Sequence, residues 1–363
     1  MKRWIGSILT GVVALSLLGG CGNQAQESNG TAQGQDALLG GQELILYTWE
    51  GMFPDEVISG FETETGCEVI YQNFTYDEEM LEKLTQTEGG EYDLIFADDY
   101  IIEQAIEAGL VQTLDQSQIP NIKHENPIFK GQFFDKNNEY TVNYGAGIPL
   151  LVYDPNAIDF EITGYQDLWN EELNDSIALI ANNRVITGMV LLSMGESMNT
   201  EDIAKIEEAG KKLQSLAPNV RLIKDDNTQT ALLTGEASVA YLYTSQVYEA
   251  LNNNPELKVV VPEEGVGFGL MSGFIPSQAP NSEAAHAFLN YIMEPETFAK
   301  CTEFTGYYCT NKDAEAFIAE ENKDLLVIPE DLKGEMIENI GTEANDVHQK
   351  VWTEFKAATG TTE

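Results

Sequence analysis

Little in this sequence could hold a metal or run nucleophilic catalysis. Its three histidines, His124, His286 and His348, are scattered over 363 residues, and no pair of its four cysteines falls at a zinc-ligand spacing. A nucleophile elbow, a P-loop, a zincin helix and an EF-hand loop are all missing. Past the first twenty residues no apolar run approaches the length of a membrane span. Basic residues are also scarce: 19 Lys and Arg stand against 60 Asp and Glu, for a net charge of −41. Such a surface repels polyanions, which excludes nucleic acid and anionic lipid headgroups as partners. With carboxylates this common, a close pair such as Asp98-Asp99 is weak support for a glycosidase.

What is present begins at the N-terminus. Met1-Lys2-Arg3 precedes an apolar run with Ile8, Val12, Val13, Leu15, Leu17 and Leu18, then Gly19-Gly20-Cys21. A basic start, a short apolar core and small residues before a cleavage point make a signal peptide over residues 1–20. The ending Leu18-Gly19-Gly20-Cys21 resembles a bacterial lipobox, which implies lipidation of Cys21 and membrane attachment through that lipid. Residues 21–41 are rich in Gln, Gly, Ser, Asn and Ala and carry too few apolar groups to offset the entropy of ordering, so they are expected to form a flexible tether. Cys67, Cys301 and Cys309 remain, an odd number in an exported chain, so at most one pair could form.

The body is too long for one core. Strand patterns at 43–47, 68–71 and 93–97 alternate with helical patterns, one opening at Pro54 and ending at Gly66 and another closing at Gly109. A second series follows: strands at 177–181, 220–223 and 239–243, with helices around 187–194 and 201–216. Alternation of this kind predicts mainly parallel sheets covered on both faces. Between the two series runs an extended stretch, 140–149, whose glycines would let a crossing strand bend, and Gly265-Val266-Gly267-Phe268-Gly269 suits a return crossing. The latter is a poor dinucleotide loop, because no helix follows and the last glycine of the fingerprint is missing, so no nucleotide cofactor is implied. Asn281-Ser282 is placed to cap a helix, and residues 343–358 read as a last helix. Two α/β lobes joined by more than one crossing would leave a cleft near strand ends, where open sheets bind ligands.

Polar and aromatic residues follow several strands: Trp49 and Glu50 after the first, Asp98, Asp99 and Tyr100 after another, Tyr241 and Tyr243 in a third. Aromatic faces with a nearby carboxylate attract alkylammonium groups.

Leu44-Ile45-Leu46-Tyr47-Thr48-Trp49-Glu50, Phe61-Glu62-Thr63-Glu64-Thr65-Gly66-Cys67-Glu68-Val69 and Tyr92-Asp93-Leu94-Ile95 resemble the spermidine/putrescine-binding proteins of polyamine ABC importers. So do Tyr165-Gln166-Asp167-Leu168-Trp169, Leu216-Ala217-Pro218-Asn219-Val220, Val261-Pro262-Glu263-Glu264-Gly265, Thr305-Gly306-Tyr307 and Asn345-Asp346-Val347, in the same order along nearly the whole mature body. The resemblance implies an α/β, two-lobed periplasmic-binding-protein fold of type II with the ligand cleft between lobes. Lobe 1 would comprise 42–145 plus 271–318, and lobe 2 146–270 plus 319–363. It further implies a receptor without enzymatic activity that hands a polyamine to ABC permease subunits.

Carried over by position, the ligand site would include Trp49, Tyr100, Tyr243 and Tyr307, with Glu50 beside the first-loop contacts. The family's second-lobe acids fall on Asn182 and Val185, and its later Trp-x-Asp pair on Gly269 and Met271. Asp98 stands where the family more often has serine, and Asp99 is adjacent. One ammonium end is therefore expected at Glu50, Asp98 and Asp99, between Trp49, Tyr100, Tyr243 and Tyr307. The replaced acids leave open a receptor for a quaternary amine or an amino-acid-like solute. A carboxylate-dependent hydrolase, iron carriage through Tyr307-Tyr308 without supporting histidines, and a surface interaction protein that has lost transport and would show no ligand-sized cleft are the remaining alternatives.

Overall fold

A computed structural model describes residues 39–224, 226–329 and 332–360; the signal peptide, Cys21 and nearly all of the tether lie outside the described residues. The first series of elements is β1 (Glu43–Thr48), α1 (Asp55–Thr65), β2 (Glu68–Asn73), α2 (Asp77–Gln86), β3 (Leu94–Asp98), α3 (Asp99–Glu107) and β4 (Thr141–Gly147). The second is β5 (Leu150–Tyr153), β6 (Ile177–Leu179), α4 (Asn183–Ser193), α5 (Ile203–Leu216), β7 (Val220–Ile223), α6 (Thr230–Leu233), β8 (Val239–Leu242), α7 (Thr244–Asn253) and β9 (Lys258–Val260). The chain then returns through β10 (Val266–Phe274), α8 (Ser282–Ile292), α9 (Pro295–Thr305), β11 (Tyr308–Cys309), α10 (Lys323–Leu326), β12 (Gly334–Met336) and α11 (Thr342–Thr359).

These strands form two sheets, ordered β11-β4-β10-β3-β1-β2 with β12 against β10, and β7-β6-β8-β5-β9. Both are mixed rather than mainly parallel. Parallel pairing is confined to β2-β1-β3, β7-β6-β8 and the β10 to β12 pair. Strands β4, β5, β9 and β10, together with the short β11, enter antiparallel. Four of these five carry the chain between sheets instead of returning through a helical crossover, so the rule that makes βαβ units parallel does not act on them. Because β10 is one continuous strand, pairing keeps Val266–Phe274 together in the first sheet. Leu326 in α10 likewise joins the core behind that sheet, whereas α11 buries Val351, Trp352 and Phe355 against the second.

Side chains alternate across each sheet with period two. Leu44, Leu46, Leu94 and Phe96 face α1, α8 and α9, where Phe53, Phe61, Phe288 and Phe298 pack. Tyr47, Ile95 and Ala97 face the opposite way, onto Met80, Leu84, Ile101 and Ile102 of α2 and α3. In the second sheet Leu151, Ile177, Leu179, Val239 and Tyr241 face α4, α5 and α11. Each fully buried Leu or Phe contributes roughly 1.5–3 kcal/mol.

Gly66 ends α1 at φ 73°, a left-handed conformation that favours glycine, as its position in the sequence predicts. Asn281 precedes α8 but does not cap it with its side chain. Its backbone and side-chain N–H groups donate instead to Asp93, at 2.6 and 3.2 Å. All three described cysteines are unpaired and buried. Among the described residues no helix is long and apolar enough to cross a membrane, and no cluster of His, Cys, Asp and Glu could hold a metal ion.

Candidate functional site

A cavity of about 940 Å³ opens where the carboxyl ends of β1, β3, β6 and β8 meet the starts of α2, α3, α4 and α7. Seven of the eight residues expected from sequence line it: Trp49, Asp98, Asp99, Tyr100, Asn182, Tyr243 and Tyr307. Glu50 is not among the lining residues; it is exposed in the turn that follows β1. Val185, Gly269 and Met271 line the cavity as well.

Each lining group is held by its element. Trp49 leans on Phe74, ring centroids 4.9 Å apart, and its carbonyl accepts the Tyr71 hydroxyl at 2.8 Å. Asn182 caps α4 by accepting the Val185 N–H at 3.0 Å, and its amide donates to the Tyr243 hydroxyl at 3.3 Å. Tyr307 follows Gly306, which ends α9 at φ 71°. The Tyr307 ring lies over the backbone of β4, where a Cβ on Gly145 would stand 3.0 Å from the Tyr307 Cβ and one on Gly147 3.6 Å from its ring. These glycines were expected to let a crossing strand bend, and here they make room for an aromatic wall. Tyr241 is fully buried, its hydroxyl 3.2 Å from that of Tyr165, so it belongs to the core rather than the cavity.

The acids divide by role. Asp99 is buried and accepts the Leu270 N–H at 2.7 Å, which ties the start of α3 to β10. Burial, with the neighbouring Asp98 charge, holds its carboxyl well above the usual range. Asp98 lies open to the cavity, and burial raises it too. Two acids that the sequence reading passed over join it: Asp77 and Glu78, at the start of α2. The Tyr100 hydroxyl donates to Glu78 at 3.1 Å and lies 3.4 Å from Asp77 Oδ2. Desolvation and the Asp98 charge push the Asp77 carboxyl upward. Polar residues after a strand were the signal used for β1, β3 and β8; Tyr76-Asp77-Glu78 follows β2 in the same way.

Arg184 also lines the cavity; its Nη2 donates to the carbonyls of Met198 and Glu338 and to Asn199 Oδ1, at 3.2 to 3.3 Å, while its Nε is buried without a partner. Burial lowers the guanidinium to about 10. The site is thus strongly acidic on the β1 to β3 side and nearly neutral opposite. Carboxylates between aromatic faces bind organic cations, by hydrogen bonds at the acids and by cation–π attraction at the rings.

Residues 56–325 match the bacterial extracellular solute-binding protein family. Along 99% of its length the chain is 30% identical to the spermidine/putrescine-binding periplasmic protein 1 of Haemophilus influenzae, all of which is covered. It is also 30% identical to the spermidine/putrescine-binding periplasmic protein of Escherichia coli, over 86% of this chain and 91% of that one. Among solved structures, the spermidine/putrescine ABC transporter substrate-binding protein PotD from Streptococcus pneumoniae superposes with a TM-score of 0.82 at 28% identity, over 88% of this chain and 99% of that one. The architecture is the two-lobed fold of periplasmic binding proteins. From the family match across most of its length and its full-length relatives, the chain belongs to the bacterial extracellular solute-binding proteins.

Proposed function

We propose that this protein captures a polyamine such as spermidine or putrescine outside the cell and delivers it to the permease subunits of an ABC importer, without covalent chemistry, while a lipid on Cys21 keeps it at the membrane. The two lobes, expected as residues 42–145 plus 271–318 and 146–270 plus 319–363 but with all of β4, β10, α10 and β12 kept by the first, close over the cation and present the closed form to the permease. The observation that carries this reading is the convergence of Asp77, Glu78 and Asp98 with Trp49, Tyr100, Tyr243 and Tyr307 on one cavity. Full-length similarity to relatives that carry the names of spermidine/putrescine-binding proteins supports it.

The test is a thermal-shift panel with putrescine, spermidine, spermine, choline, betaine and amino acids. A ligand that binds only the folded form stabilises by about 2.7 kcal/mol at a hundred times its Kd. A rise in Tm with putrescine or spermidine is expected. A rise only with choline, betaine or an amino acid would keep a receptor but replace its cargo, and would overturn the polyamine assignment.

A further inference from the structure

We propose that Asp77 and Asp98 form a seat for a primary ammonium group, holding one proton between them in the empty cleft and releasing it when the cation arrives. This deepens the polyamine reading and rests on it. The geometry carries the argument. Asp77 is only 6% exposed yet lines the cavity, and its Oδ1 is buried with no donor in reach. Asp98 lines the same cavity with its carboxyl beside that of Asp77, whose Oδ2 has the Tyr100 hydroxyl at 3.4 Å. Two facing carboxyls have four acceptor oxygens and no donor unless a proton lies between them.

Among the described residues no cation acts on the pair. From α2 the pair faces Glu78, and from α3 Tyr100, Asp99 and, more distantly, Glu103. Tyr307 faces both acids from the turn after α9. Across the cavity stand Arg184, Tyr243 and the exposed Asp226 and Glu338. Arg184 stands across the cavity, its Nη2 donating to carbonyls there, and no lysine is among the described residues that line the cavity. Like charges this close cannot both ionise at little cost: burial and then the Asp98 charge raise Asp77, while burial and the Glu78 charge raise Asp98, which a hydrogen bond with Asp77 holds back.

An arriving R–NH3+ changes the balance. It brings three N–H donors; two bond to the facing carboxylates, the O–H bond of the bridging proton breaks, and that proton leaves to bulk water. The pair passes from one negative charge to two, and the ammonium offsets one of them. A quaternary ammonium has no N–H to donate and leaves the bridging proton in place, so the seat selects primary amines over choline-like cations. Because the proton competes with the cation, affinity rises with pH while the pair is protonated and levels off once it is not.

The experiment is calorimetric titration of the purified full chain with putrescine, in buffer pairs of equal pH and different ionisation enthalpy, from about pH 5.5 to about pH 8.5, where the amine itself stays charged. Proton release approaching one at the acid end, falling toward zero at the alkaline end, is expected, with affinity rising up to about tenfold per pH unit between. In D77N and D98N the release should vanish and affinity should fall at least about tenfold. Putrescine binding with the same heat in both buffers at every pH overturns the seat but leaves the polyamine receptor standing. Absence of binding by any polyamine overturns both. The wild-type proton count decides the matter even if a variant fails to fold.

Discussion

Asp93→Ala separates scaffold from site. Asp93 is fully buried at the start of β3, and its carboxylate accepts the Ile45 N–H at 2.8 Å, the Asn281 N–H at 2.6 Å and the Asn281 side-chain amide at 3.2 Å. It therefore fastens β1, β3 and the entry to α8 at one point. Truncation leaves two backbone donors without their acceptor, while the Asn281 amide can turn to water. Hydrogen bonds to a charged group contribute about 1.5–3 kcal/mol each, so a loss of roughly 3–6 kcal/mol is expected, against a total stability of about 5–15 kcal/mol for a typical domain. The cleft lies at the other end of the strand, five residues or roughly 16 Å away, beyond the range at which substitutions usually couple. Urea unfolding followed by tryptophan fluorescence should show a lower midpoint with an unchanged slope. Putrescine affinity of the folded protein should stay within about threefold of wild type, on a scale where tenfold is 1.4 kcal/mol. A stability loss under about 1 kcal/mol would refute the clamp, since that is what a single ordinary hydrogen bond contributes. A parallel collapse of affinity in folded protein would refute the separation of scaffold from site.

Gly145→Ala acts at the cleft itself: its Cβ would stand 3.0 and 3.3 Å from the Tyr307 Cβ and Cγ, so the ring must shift outward. Overpacking of about 1–3 kcal/mol is partly offset by the lower entropy of the unfolded chain. Putrescine affinity should fall by about tenfold in calorimetry with Tm little changed, and full affinity would show that Tyr307 is no contact. His348 gives a pH dependence. Its ring is fully buried with both nitrogens unpartnered, and burial, then the Arg184 charge, lower it to about 4. The neutral ring is the folded form, so this contribution is complete above the unfolded value near 6.5 and is lost as pH falls toward about 4. The loss is on the order of 3 kcal/mol. Chemical denaturation across that interval should show H348L losing less stability than wild type, and equal losses would refute the assignment.

The motifs that carry the family resemblance do not all carry the ligand. Tyr92-Asp93-Leu94-Ile95 is a structural clamp and a buried strand, and Tyr165 sits in the core against Tyr241. Resemblance marks positions that any member of the fold needs, and a single sequence does not separate these from the positions that touch cargo. Glu50 illustrates the converse: adjacent to Trp49 in sequence, it lies exposed in the turn after β1 and does not line the cavity.

What the sequence determined by itself was local and periodic. Short apolar runs specified β1, β3, β6 and β8, and Pro54, Gly66 and Gly109 bounded the helices of the first series, because these signals act within a few residues. The polar and aromatic residues beyond β1, β3 and β8 were legible for the same reason. Tertiary structure alone decided the antiparallel entry of β4 and β10, since strand direction follows from where the chain returns rather than from any residue in the strand. It also decided that Asp77, from a helix start more than twenty residues before Asp98, shares one pocket with it. Parallel β2-β1-β3 pairing brings those strand ends to one side, and burial there raises both carboxyls.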